Sequence, residues 1–223
     1  MNLAEEVALI AGKDLRIERR SKVALNQIVP FAILVLVLFG FALDADRAAL
    51  QTFTPGLYWV AILLSAVLAV HRSVAVEAGE GAQEGLLLTG LRPASIFLGK
   101  AAALIVQLLL VAVALLGGVI VLYSAAIDDV VLLVTSLIAA VLAVGAAGTI
   151  YGALLGSQRA RETVLPILLL PVLAPVLIGA TRAFGDAMGT VAADGWQWTQ
   201  LLFGFAALYL AAGVLSHGEL MET

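Results

Sequence analysis

The chain has 223 residues, of which 62% are hydrophobic and only 13% are charged, and its mean hydropathy is +1.08. Soluble domains contain about 45–50% apolar and about 25% charged residues, so this composition excludes an ordinary soluble domain and leaves no room for a separate catalytic one. The net charge of −4 says little, because in a membrane protein the position of each charge matters more than the sum. Cysteine is absent, which excludes disulfides, thiolate metal sites and a cysteine nucleophile.

Six apolar stretches are predicted to cross a membrane as helices. A helix needs about 20 apolar residues to span the hydrocarbon core, and none of the stretches has an Asp, Glu, Lys or Arg deep inside it. They cover residues 25–43, 53–70, 101–123, 130–155, 164–180 and 198–215. We therefore predict an all-α integral membrane protein, with one transmembrane domain over residues 1–223 embedded in a lipid bilayer.

The segment before the first stretch carries apolar residues at helical spacing, with charged residues between them. These apolar residues are Leu3, Val7, Ile10 and Ile17. Such a stripe predicts an N-terminal helix that lies in the membrane surface, and a frayed polar tail is the alternative. Several acidic residues precede the first stretch and no convincing small-x-small site follows it, so we expect that stretch to be an uncleaved anchor.

The longest loop lies between the second and third stretches, and an acidic, Gly-rich half is followed there by three leucines. Its distinctive residues are Glu80, Gly81, Glu84, Leu86, Leu87 and Leu88. Thr89-Gly90 and Arg92-Pro93 then predict the end of a helix and a turn. A short helix with apolar residues beside a charged, membrane-proximal face is suited to docking in a groove on a soluble partner. An ordinary surface helix is the alternative interpretation.

Small residues repeat along one face of the fourth stretch. Gly148, Gly152 and Gly156 are spaced by four residues, and Gly145 comes one turn before them. Small residues on one face let two helix backbones approach closely, so this stripe predicts helix packing. A partner helix within the same chain is the favoured interpretation, and a contact with a second copy of the chain is the alternative.

The fifth stretch contains three prolines, Pro166, Pro171 and Pro175. Each proline removes a backbone donor, and lipid cannot satisfy the carbonyl that loses its partner. We therefore predict that span five is broken and packed against protein near its outer end, with a re-entrant segment before residues 182–196 as one form of the break. A span that is merely kinked is the alternative.

The positive charges are sorted to one side of the predicted spans. Ten of the twelve Lys and Arg fall in the N-terminal segment and the two loops on its side, whereas only Arg47 and Arg182 fall on the other side. The positive-inside rule then places the N-terminus in the cytoplasm, and an even number of spans returns the C-terminus there (N-in/C-in).

Several kinds of chemistry have no signature in the sequence. There is no G-x-x-x-x-G-K-[S/T] loop for nucleotide phosphates, no catalytic triad, no metal cluster and no nucleic-acid patch. No carboxylate or His lies deep in a span to bind a coupling ion, so a transporter of this kind would need energy from another chain. His71 and His217 are both expected on the cytoplasmic side, without a partner at useful spacing. We expect no cofactor on this chain.

The order of these features resembles the six-span permeases of ATP-binding-cassette exporters (the ABC-2 type), and more narrowly the haem exporter protein B (CcmB) family of cytochrome c maturation. The similar motifs are K-D-L-x-x-E-x-R at residues 13–20, a Pro-Gly-aromatic-Trp entry at residues 55–59, the acidic and leucine-rich segment at residues 80–88 before Pro93 and Lys100, the basic residues Arg159 and Arg161, and P-x-x-x-P-V-L-I at residues 171–178. Two features depart from the family pattern. His71 stands where the family usually has Asp, and Glu80 is followed directly by Gly81, without the usual residue between them.

The resemblance implies a bacterial inner-membrane permease subunit, without an ATPase site of its own, that works in cytochrome c biogenesis. It implies a dimer of cassette ATPase subunits that bind ATP, a second copy of this chain, and a haem-handling membrane subunit with a small accessory subunit. It implies that residues 80–88 couple to the ATPase, and that haem is cargo rather than cofactor. Two alternatives stay open: a permease for a lipid, drug or glycan, and a non-conducting scaffold that couples the ATPase to a haem-handling partner.

Overall fold

The computed structural model of the protein describes residues 2–22, 24–44, 46–79, 90–154 and 158–220. Within these ranges the chain forms seven α-helices and one π-helical turn, Ala24–Ile28, ahead of the second helix. The helices are α1 Leu3–Ser21, α2 Val29–Ala42, α3 Arg47–Gly79, α4 Pro93–Tyr123, α5 Val130–Leu154, α6 Gln158–Ala187 and α7 Gly195–Leu220. The prediction of an all-α membrane protein is therefore confirmed at the level of secondary structure and apolar length.

Five of the described helices are long and apolar enough to cross a membrane, and the count reaches six if one bent pair is a single span. The five are Arg47–Val74, Pro93–Tyr123, Val130–Leu154, Pro166–Ala187 and Gly195–Ser216. The bent pair joins α1 to α2 at an angle of 52°. Because α2 has only 14 helical residues, the first predicted span, 25–43, reaches full length only with the π-helical turn before it.

Helices α3 and α4 both extend beyond the apolar stretches that predicted them. Hydropathy marks the part of a helix that lipid contacts, whereas backbone hydrogen bonding continues until a residue breaks it. Helix α3 therefore runs on to Gly79, and α4 starts at Pro93, whose fixed φ suits the first helical position. The predicted turn before α4 is present, because Gly90 has φ +68° and Arg92 is extended.

Helix α5 lies at the centre of the bundle and contacts α3, α4, α6 and α7. The glycine stripe is what permits the contact with α3 and α4. A Cβ added at Gly148 would lie 2.7 Å from Val70 Cγ2, and one added at Gly152 would lie 3.2 Å from the same side chain. Gly145 faces Ile105 of α4 in the same way. These glycines thus pack against helices of the same chain, whereas Gly156 lies outside the described residues.

Helix α6 is continuous from Gln158 to Ala187, so the predicted break of span five is not observed. Pro166, Pro171 and Pro175 are spaced by five and four residues, so the carbonyls that lose a donor fall in different turns. Each turn then keeps hydrogen bonds that hold the helix together. Pro171 and Pro175 are exposed, whereas Leu173, Val176 and Ala180 are fully buried, so the predicted packing against protein is present on one face of this helix.

The end of α6 is joined by hydrogen bonds to the starts of α5 and α7. The amides of Asp128 and Asp129 both donate to the carbonyl oxygen of Ala187, at 2.9 and 3.0 Å. The Asp186 carboxylate accepts from the amide of Gly195, the first residue of α7, at 3.0 Å. We call this group of three hydrogen bonds the α5–α6–α7 clasp.

Candidate coupling site at the start of helix α4

The N-terminal helix lies against the beginning of α4 and so approaches the place where the predicted coupling segment joins the bundle. It starts with a capping box, in which Asn2 accepts from the Glu5 amide and Glu5 accepts from the Asn2 amide. Ile10 of α1 is buried against Gly99 of α4, where an added Cβ would lie 2.6 Å from the Ile10 Cβ. A glycine at this position therefore permits the two helices to touch.

A buried carboxylate fixes this junction. Glu6 is only 7% exposed, and its Oε2 accepts a hydrogen bond from the hydroxyl of Ser95 at 2.5 Å. Its other oxygen, Oε1, lies 3.5 Å from Nε of Arg92. The Ser95 hydroxyl is also 2.7 Å from the Arg92 carbonyl oxygen, so its single proton is shared between two acceptors. We call Glu6, Arg92 and Ser95 the α1–α4 junction.

The charge of Glu6 is favoured by its surroundings. The hydrogen bond from Ser95 is the largest influence and lowers the pKa of the Glu6 carboxyl below its ordinary value, and the Arg92 guanidinium lowers it further. Burial opposes both, because it disfavours the charged form. The net effect is a lowered pKa, so at neutral pH the junction holds an ionised carboxylate that receives a hydrogen bond and faces a guanidinium.

The residues predicted to bind an ATPase, Glu80, Gly81, Glu84 and Leu86–Leu88, lie outside the described residues. The structure describes the helices on either side of them, since α3 ends at Gly79 and α4 begins at Pro93. Arg92 and Ser95 belong to the first turn of α4 and its cap. The α1–α4 junction is therefore placed where α4 leaves this segment.

The α1–α4 junction itself was not predicted from the sequence. In the sequence, Glu6 is an ordinary acidic residue in the first turn of a helix, where the helix dipole stabilises its negative charge. One signal was present: Glu6 and Ile10 are four residues apart and so lie on the same face of α1. The predicted apolar stripe is also divided, because Ile10 is buried against α4 while Leu3 and Ile17 remain exposed.

Among the described residues, no group of three or more His, Asp or Glu side chains is arranged to hold a metal ion. His71 lies in α3 and is partly exposed. The α1–α4 junction connects α1 to the first turn of the long apolar helix α4.

Nearly the whole length of the chain is similar to one family of known proteins. A family model described as CcmB protein matches residues 5–219. Heme exporter protein B of Pseudomonas aeruginosa is 30% identical to the chain, over 95% of the chain and 97% of that protein. Heme exporter protein B of Escherichia coli is 37% identical, over 82% of the chain and 83% of that protein. The protein of the same name from Haemophilus influenzae is 29% identical, over 80% of each.

Proposed function

The chain belongs to the CcmB protein family, and from that membership we propose that it is the membrane subunit of an ATP-driven haem exporter that serves cytochrome c biogenesis. The observation that carries the proposal is the match over residues 5–219, which includes every described helix long and apolar enough to cross a membrane. The protein is a multi-pass protein of the bacterial inner membrane, and its N- and C-termini are proposed to lie in the cytoplasm.

Energy comes from a separate dimer of cassette ATPase subunits that binds ATP. The surface for this partner is residues 80–88, where Leu86, Leu87 and Leu88 supply apolar contact and Glu80 and Glu84 supply charge, with Gly81 between them. A second copy of the chain completes a symmetric pair of permeases. What supports the docking surface is its place between two long helices, α3 and α4, whose ends would move with it.

The α1–α4 junction gives this motion a second helix to act on. A displacement of the start of α4 also displaces Ser95 and Arg92, and both contact Glu6 of α1. Helix α1 would then move with α4 rather than stay fixed in the membrane surface. A haem-handling membrane subunit and a small accessory subunit would hold the cargo, and we expect the purified chain alone to carry no stoichiometric haem.

The docking surface can be tested with a pair of substitutions at one position. Leu87→Asp places a carboxylate in an apolar contact, where its desolvation is unfavourable, so at least about tenfold less ATPase should co-purify with the chain. Leu87→Met keeps the apolar volume and should retain wild-type binding. The readouts are ATPase recovered with the membrane subunit and holocytochrome c formed in cells that depend on this chain.

Two outcomes would count against the proposal. If Leu87→Asp retained full ATPase recovery, the docking surface would lie elsewhere on the chain. If ATPase recovery fell but holocytochrome c formation continued unchanged, ATP-driven haem export through this complex would be wrong.

A further inference from the structure

A cleft of about 390 Å³ lies between helices α3 and α6 and is separate from the α1–α4 junction. Its α3 wall is formed by Gly56, Trp59 and Val60, and loop residue Val191 closes one edge. Its α6 wall consists of Leu177, Ile178, Thr181 and Arg182. The cleft opens sideways, because Val60 is 41% exposed and Ile178 is 57% exposed on helices apolar enough to span a membrane. Its contents would therefore enter from the bilayer.

A buried hydrogen-bond donor in the wall of this cleft has no partner. Trp59 is 1% exposed, and its indole Nε1 is the one buried side-chain nitrogen or oxygen without a hydrogen bond among the described residues. Leaving such a group unpaired is unfavourable, because no hydrogen bond compensates for its loss of water. The ring is held in place by Phe184, whose centroid lies 5.5 Å away in an edge-to-face arrangement, and by Tyr58 at 5.4 Å. The Trp59 ring is thus a rigid part of the cleft wall.

The polar groups of the cleft are all able to donate hydrogen bonds, and one of them is charged. Arg182 is exposed and makes no ion pair with any residue that the structure describes. Thr181 adds a hydroxyl, and none of the described residues that line the cleft is an Asp or Glu. Along α6 the apolar residues Leu177 and Ile178 lie one turn farther from the helix end than Arg182. The cleft therefore has a cationic, donor-rich end near the loop and an apolar end toward the middle of the helix.

We propose that this cleft binds the phosphate head group of an anionic phospholipid from the leaflet on the side of the α6–α7 loop. The Arg182 guanidinium matches a phosphate through paired hydrogen bonds, and the Thr181 hydroxyl donates to a further oxygen of the same lipid. An acyl chain then lies against Leu177 and Ile178. Such a bound lipid wedges between α3 and α6 and holds their separation.

Gly56 offers a way to fill the cleft without disturbing the core, because a Cβ added there has nothing within 4 Å. Gly204 in α7 is equally open and provides the matched control. The test uses the full chain in detergent with added dioleoylphosphatidylglycerol, and bound lipid is measured by native mass spectrometry. Gly56→Leu, which fills the cleft, and Arg182→Ala, which removes the charge-assisted hydrogen bonds, should each weaken lipid binding at least about tenfold. Gly204→Leu should bind like the wild type.

Arg47→Ala is the control for a general charge effect, since Arg47 begins α3 on the same side of the bundle and donates to Ser124 instead. It should leave binding unchanged. Equal binding of zwitterionic dioleoylphosphatidylcholine, or an equal loss in Arg47→Ala, would overturn the proposal. So would stoichiometric binding of haem, measured by its Soret band, that is lost in both Gly56→Leu and Arg182→Ala.

Discussion

The negative charge of Glu6 contributes to the contact between α1 and α4, through Ser95 and Arg92. Its pKa is lowered by the Ser95 hydrogen bond and by Arg92, so the folded pKa is below the ordinary value of 4.5. A lowered folded pKa means that the ionised group stabilises the protein above the unfolded pKa, and that this contribution is lost as pH falls through the folded pKa. The contact between α1 and α4 should therefore weaken in acid.

Glu6→Gln tests this dependence. The variant cannot ionise, so it should be less stable than wild type at neutral pH and should approach wild type as the pH is lowered from about 6 to about 3. The measurement is the midpoint of thermal unfolding in detergent across that range. Parallel curves for Glu6→Gln and wild type would show that the Glu6 charge does not stabilise the contact.

At the scale of elements, the contact of α1 with α4 depends on a small residue. Gly99→Ala would place a Cβ 2.6 Å from the Ile10 Cβ, and such overpacking costs about 1–3 kcal/mol. Gly117 lies in the same helix with nothing within 4 Å of an added Cβ, so Gly117→Ala should raise stability by up to about 1 kcal/mol through helix propensity alone. Denaturant titration in detergent gives both free energies of unfolding. Changes of the same sign would contradict the proposed role of Gly99.

Much of each helix could be predicted from apolar length, since lipid requires long apolar segments whose backbone is satisfied internally. The continuity of α6 could not, because its three prolines each weaken a helix locally and only the whole segment shows that the remaining hydrogen bonds suffice. The bond between Glu6 and Ser95 joins residues 89 positions apart and has no local signature. The sequence showed Trp59 only as one residue of the motif at residues 55–59. That its indole nitrogen has no hydrogen-bond partner could not be predicted, because this depends on the folded chain.

For the whole molecule, antiparallel helices sort the loops to two ends. One end carries α1 and the start of α4, and the other carries the loops around Ser124 and Asp194. At this second end, Arg47 and Gln51 of α3 both donate hydrogen bonds to Ser124, at 2.9 and 3.0 Å. These bonds join the start of α3 to the residue that follows α4. From the positive-inside rule, we expect this second end to face away from the cytoplasm.

Single cysteines can test that orientation, since the natural chain has none. Ala126 and Ala192 are exposed on the loops of the second end, and Gly12 is exposed on α1. In spheroplasts an impermeant maleimide should label Ala126→Cys and Ala192→Cys at once, whereas Gly12→Cys should react only after the membrane is permeabilised. Immediate labelling of Gly12→Cys would reverse the assignment of the two sides.

The α5–α6–α7 clasp holds helix α6 at one end only, so a tilt of the helix about that end displaces its other end most. Its three hydrogen bonds lie at one end, at Ala187 and its neighbour Asp186, while the other end of the helix begins at Gln158. A helix of 30 residues is about 45 Å long, so a tilt of about 5° at the pivot carries the far end through about 4 Å. Such a small tilt at the end that carries the clasp would therefore displace the opposite end of α6 by about the size of a side chain.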